Sequence, residues 1–138
     1  MKQKIIYMAD DDEDDRLFLS DAIRKLNQEI KIVEASDGDD LLHLIETENT
    51  KDANILILLD MNMPRVTGLE ALQTIRANEK IKHIPAVMIS TSSDKQLIQK
   101  AYETGINAYI KKPNNFDGFM KIAEALQTCF LDFEQSVK

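Results

Sequence analysis

Short apolar runs alternate along this chain with segments whose apolar residues recur every three or four positions. Ile5-Ile6-Tyr7-Met8-Ala9 is an unbroken apolar run. It is short for a helix and suits a strand covered on both faces. Arg16 to Leu26 places Leu17, Leu19, Ile23 and Leu26 near helical spacing and predicts a helix. Lys31 to Ala35 predicts a second strand, and Gly38 to Glu48 a helix carrying Leu41, Leu42, Leu44 and Ile45. Ile55 to Leu59 is the most apolar stretch and is expected at the centre of a sheet. A helix over Leu69 to Ala77 follows, then a strand over Ala86 to Ile89. Asp94 is suited to cap a helix that ends at Thr104-Gly105. A fifth strand covers Ala108 to Ile110. The last helix is expected from Asp117 to Phe133, with Phe119, Ile122, Ala123, Leu126 and Phe130 along its apolar stripe.

Five strands alternating with five helices argue for a parallel α/β sheet with helices on both faces. At 138 residues the chain has the size of one domain, and a single domain over 1–138 with no effector domain is expected. The formal net charge of −7 disfavours nucleic acid and anionic membrane surfaces as partners. Cys129 is the only cysteine, so an intramolecular disulfide is excluded and a reducing, cytoplasmic setting is expected. The cysteine itself lies near the apolar stripe and is expected in the core. His43 and His83 have no partner motif and are expected at or near the surface, and the six methionines are expected to pack.

In an open sheet of this kind the ligand site lies beyond the carboxyl ends of the strands. The first strand delivers Asp10, Asp11 and Asp12 there, and the third delivers Asp60. The fourth delivers Ser90 and Thr91, and the fifth delivers Lys111, Lys112 and Pro113. Two carboxylates about 6 Å apart repel by roughly 3 kcal/mol at an effective dielectric near 20. A cluster of three therefore calls for a counter-charge. Oxygen-only ligands select a hard divalent ion such as Mg²⁺, and Lys112 adds a movable point charge. With the Ser90 hydroxyl, these are the parts that phosphoryl transfer requires.

Four segments carry a resemblance: Ala9-Asp10-Asp11-Asp12, Leu59-Asp60-Met61-Asn62-Met63-Pro64 with Gly68, Met88-Ile89-Ser90-Thr91, and Tyr109-Ile110-Lys111-Lys112-Pro113. With these at matching strand ends, the chain resembles the receiver domains of bacterial two-component response regulators, of the single-domain chemotaxis-regulator or phytochrome-associated kind. The resemblance implies a flavodoxin-like doubly wound sheet of strand order 2-1-3-4-5. It implies Asp60 as phosphoacceptor and Mg²⁺ held by Asp10, Asp11, Asp60 and the Asn62 carbonyl, with Asp11 the more direct ligand. It implies Ser90 and Lys112 on the phosphoryl oxygens, Tyr109 as an aromatic switch, and Asn62 and Ser92 as residues that tune dephosphorylation. Thr91 and Pro113 complete the site, and Pro113 is expected to follow a cis peptide bond. The implied partners are a sensor histidine kinase or histidine phosphotransfer protein and an unidentified downstream protein. The chain would act as a monomer or a phosphorylation-dependent homodimer, and not as a conventional enzyme.

Other readings of the same residues are weaker. The run Asp10 to Asp15 suits a solvated helix start, where acids complement the helix dipole. Asp14 and Asp15 in particular are expected as caps or surface. A calcium loop fails because Asp15 stands where glycine is needed and Asp21 where Glu is needed. An aspartyl hydrolase of the haloacid dehalogenase type needs an acid two residues after its nucleophile, where this chain has Asn62. A flavin or nucleotide binder needs a phosphate loop after the first strand, where this chain places carboxylates. A receiver that serves as a scaffold without accepting phosphate is opposed by the completeness of the constellation.

Overall fold

The computed structural model describes residues 3–47 and 52–131. The longest apolar runs form the middle of the sheet. Strand β1 (Gln3–Ala9) pairs in parallel with β2 (Lys31–Ala35) on one side and β3 (Ala53–Leu59) on the other. Strand β4 (Ala86–Ser90) pairs with β3, and β5 (Ala108–Lys111) closes the far edge. The order is β2-β1-β3-β4-β5, all parallel, as the resemblance implies. Helices α1 (Glu13–Leu26) and α5 (Phe116–Leu126) cover one face. Helices α2 (Gly38–Thr47), α3 (Gly68–Ala77) and α4 (Lys95–Thr104) cover the other. Alternate residues of β3 serve the two cores. Ile55, Ile57 and Leu59 face α2, α3 and α4, while Leu56 and Leu58 face α1 and α5, which is why this strand reads as apolar throughout. No helix among the described residues is long and apolar enough to cross a membrane.

Several expectations shift. Helix α1 begins at Glu13, not Arg16, because Asp12 caps it by accepting the N–H groups of Asp14 and Asp15. Its buried face is Leu19, Ala22 and Ile23, and Leu17 and Leu26 are exposed. The last helix breaks into a π-helical turn over Gln127–Leu131. The five-residue repeat sets Leu131 under the sheet after Leu126 and leaves Phe130 half-buried. The same turn leaves Cys129 exposed, against the expectation of a core residue. The expected ends of the second helix at Glu48 and the last at Phe133 lie outside the described residues. The peptide before Pro113 is trans, since no cis peptide occurs among the described residues. The Lys112 N–H continues the ladder onto the Ser90 carbonyl at 2.9 Å, and trans is the intrinsically favoured form by about 0.5–1 kcal/mol.

Candidate functional site at the carboxyl ends of β1, β3 and β5

Register places the acids side by side. Ala9 pairs with both Leu59 and Ala35, and the ladder runs one residue further. The Asp60 N–H donates to the Ala9 carbonyl at 2.9 Å, and the Asp10 N–H donates to the Ala35 carbonyl at 3.2 Å. Asp10 and Asp60 thus leave neighbouring central strands at one level, and both are buried. Asp11, one residue beyond, is exposed. One oxygen from each of Asp10, Asp11 and Asp60 lies within 4.8 Å of the other two. That clustering would let the three oxygens converge on one cation; octahedral Mg²⁺ holds its ligand oxygens about 3 Å (cis) to 4 Å (trans) apart at bond lengths near 2.1 Å. The donor set is oxygen alone, which favours a hard cation over zinc or copper.

Lys112 enters from the end of β5. Its Nζ lies 2.8 Å from Asp15 Oδ2, 2.9 Å from Asp10 Oδ2 and 3.2 Å from Asp60 Oδ2. One ammonium therefore serves three carboxylates, with little of its side chain exposed. Lys112 titrates as a lysine in an ion pair does, but Asp10 shifts the opposite way to a carboxylate in an isolated pair. Burial pushes the Asp10 carboxyl up to about 6, aided by the Asp60 charge and opposed by the Asp12 N–H and Lys112. Burial pulls Lys112 down, but its bonds to Asp15 and Asp10 and the charges of Asp10 and Asp60 outweigh it, so the ammonium is held more firmly than usual.

The loops around this cluster are fixed by short-range bonds. The Asp12 N–H donates to Asp10 Oδ1 at 2.9 Å, and the Asn62 N–H reaches Asp60 Oδ1 at 3.4 Å. The Arg16 guanidinium donates to the Asp10 carbonyl and lies 3.4 Å from Glu34. Gly68 opens α3 directly against β3: a Cβ there would stand 2.1 Å from the Asp60 carbonyl oxygen. Glycine is required for that close approach. On the far side of the loop, Arg65 sits at φ 63 and pairs through Nε (3.1 Å) and Nη2 with Asp37 Oδ2.

Of the residues expected from sequence, Asp10, Asp11, Asp60 and Lys112 come together. Ser90 is fully buried at the end of β4, where its Oγ accepts the Ser92 N–H at 3.3 Å. Tyr109 is half-buried, and its hydroxyl donates to the Ser92 carbonyl at 2.7 Å. Thr91 is exposed in the loop that follows Ser90, Asn62 is exposed, and Pro113 is half-buried beside Asp15 and Phe18. Asp15 is the residue that sequence reading missed. It was expected to cap or to face solvent, yet its carboxylate holds Lys112. Its place three residues after the cap Asp12 turns it toward β5, and no pattern in the sequence reports that contact.

The response regulator receiver domain model matches residues 6–124. The chain belongs to that family. Receiver domains signal through phosphorylation, are generally not enzymes, and hold Mg²⁺ or Mn²⁺ in an acidic pocket. This receiver domain is 27% identical to the response regulator Rcp1 of Synechocystis over 133 residues, covering 94% of this chain and 90% of that protein. It is 31% identical to the chemotaxis protein CheY of Pseudomonas aeruginosa over 108 residues, covering 78% and 83% of the two chains. Among solved structures, the phosphorylated cyanobacterial phytochrome response regulator RcpA superposes with a TM-score of 0.85 at 26% identity, covering 99% and 98%.

Proposed function

We propose that this chain is a stand-alone response regulator, one domain over 1–138, that accepts a phosphoryl group on Asp60 in a Mg²⁺-dependent reaction. The single observation that carries this is the shared ammonium: Lys112 Nζ within 3.2 Å of Asp60, beside three carboxylate oxygens gathered within 4.8 Å of one another. The donor is a phosphohistidine on a sensor kinase or phosphotransfer protein. A carboxylate oxygen of Asp60 attacks phosphorus, the P–O bond forms as the donor's P–N bond breaks, and the departing imidazole takes a proton from water. When bound by Asp10, Asp11, Asp60 and the Asn62 carbonyl, Mg²⁺ supplies charge neutralisation for the transferring group. Lys112 is placed to contact a second phosphoryl oxygen. Leu17 and Phe18 are exposed on the first turns of α1 and offer apolar area beside the site to the incoming protein.

The output reading is a relay of hydrogen bonds. Ser90 Oγ accepts from Ser92, so its own proton is free for a phosphoryl oxygen. A shift of Ser90 disturbs Ser92, whose carbonyl holds the Tyr109 hydroxyl. Tyr109 lies on β5, and its N–H donates to the Tyr102 hydroxyl of α4 at 3.0 Å. The phosphoryl group thereby biases the α4–β5 face between two arrangements. A downstream protein, or a second copy, reads that face in the cytoplasm.

The test is to incubate the protein with a small-molecule phosphodonor, with and without Mg²⁺, and weigh it intact. One added phosphoryl group is expected with Mg²⁺, none without, and none in Asp60→Asn. Label on serine or histidine, or a protein that stays unmodified, would refute the assignment, the latter in favour of a scaffold.

A further inference from the structure

The family roles assign nothing to Asp15, yet its carboxylate makes the shortest bond to the Lys112 ammonium, at 2.8 Å. We propose that Asp15 is a positioning residue that anchors Lys112 through the whole phosphorylation cycle. This rests on Asp60 being the phosphoacceptor. An ammonium has three N–H donors, and the carboxylates of Asp10, Asp15 and Asp60 all lie within 3.2 Å of it. Two of those acceptors do not last. Asp10 and Asp60 belong to the oxygen cluster suited to a cation, and Asp15 does not. Once a cation draws on Asp10 and Asp60, and Asp60 carries a phosphoryl group, Asp15 is the acceptor left unchanged.

The anchor is rigid. Asp15 stands in the first turn of α1, with its N–H on the Asp12 side chain at 3.2 Å. The next residue, Arg16, ties that turn to the Asp10 carbonyl and to Glu34 on β2. A lysine has a flexible stem and needs such a partner to hold its charge at one point. The pair also escapes the fate of surface ion pairs, which solvent and salt weaken. The Lys112 side chain is 8% exposed and that of Asp15 23%.

Asp15→Asn, Asp15→Glu, Lys112→Ala and the Asp15→Asn/Lys112→Ala double variant test this. Phosphoryl uptake from a small phosphodonor is timed by intact mass at saturating Mg²⁺ and donor, and Mg²⁺ affinity is measured by calorimetry. Asp15→Asn is expected to slow uptake about tenfold, the scale of one charge-assisted hydrogen bond, with the Mg²⁺ Kd changed less than about threefold, since Asp15 is not a ligand. Asp15→Glu should recover part of the rate. In the Lys112→Ala background, Asp15→Asn should add nothing, as a double-mutant cycle requires of groups that act through one another. An unchanged rate in Asp15→Asn, a loss explained by Mg²⁺ affinity, or an equal loss without Lys112 would each overturn the inference alone. A wild-type protein that takes no phosphoryl group at all would overturn the reading of Asp60 and this inference with it.

Discussion

Two ion-paired carboxylates at the same end of the sheet titrate in opposite directions. Asp37 and Asp10 are both buried. Asp37 has all it needs: Oδ1 accepts the Asp40 N–H at 2.8 Å, and Oδ2 takes the Arg65 fork. Its carboxyl is held below the usual range, first by the Asp40 N–H and then by Arg65. Asp10 shares one ammonium with two other carboxylates, and burial wins, pushing it up to about 6. The difference separates a clasp from a working site. A one-to-one pair with its oxygens satisfied resists change. A cluster with more negative charge than its lysine can match is ready to exchange partners.

Lys112→Ala is the sharpest way to break this contrast. It leaves Asp10, Asp15 and Asp60 without their cation. Removing one partner of a buried pair costs about 3–5 kcal/mol, and partial exposure here lowers the expectation to about 2 kcal/mol. Mg²⁺ competes for the same carboxylates, so it should raise the Tm of the variant more than that of the wild type. An equal Mg²⁺ response in both proteins would mean that lysine and metal do not share these groups.

The working side of this contrast was legible in the sequence because strand ends are legible. A parallel sheet delivers the residue after each strand to one edge, so Asp10, Asp60, Ser90 and Lys112 follow from element order alone. The cap at Asp12 was hidden for a different reason. The first turn of α1 is all acid, and helical periodicity shows only where apolar residues begin. The π-helical turn after Leu126 was illegible because packing, not local preference, chooses Leu131 over Phe130. Long-range side-chain pairs leave no trace at all. Asp15 with Lys112 and Asp37 with Arg65 are separated by most of the chain or by two elements, and only the fold brings them together.

Asp37→Ala probes the clasp. It removes the carboxylate that receives the Asp40 N–H at the start of α2, a loss of about 1 kcal/mol. Because this pair does not touch the carboxylate cluster, the rise in Tm on adding Mg²⁺ should match the wild type. A lost Mg²⁺ response would show that the clasp also sets the loop carrying Asn62.

Arg65→Ala should have the smallest effect, and its sign depends on pH. Arg65 lies mostly in solvent, so its charge is screened. The Asp37 carboxyl sits below its ordinary 3.8 in the folded protein, so it contributes stability above that value. The contribution is lost as pH falls through the lower, folded value. Without Arg65 the Asp40 N–H still lowers Asp37, but by less. Wild type and variant should therefore differ most near neutral pH and converge in acid, once Asp37 is protonated in both. Urea unfolding at steps between neutral pH and pH 2 reads this directly. The left-handed backbone at residue 65 supplies the control: Arg65→Gly loses the same ion pair but relieves the strain. It should be more stable than Arg65→Ala at every pH while showing the same convergence with the wild type's pH slope. Curves that stay parallel down to pH 2 would mean that Arg65 holds the loop by packing alone and that its charge on Asp37 contributes nothing to the clasp.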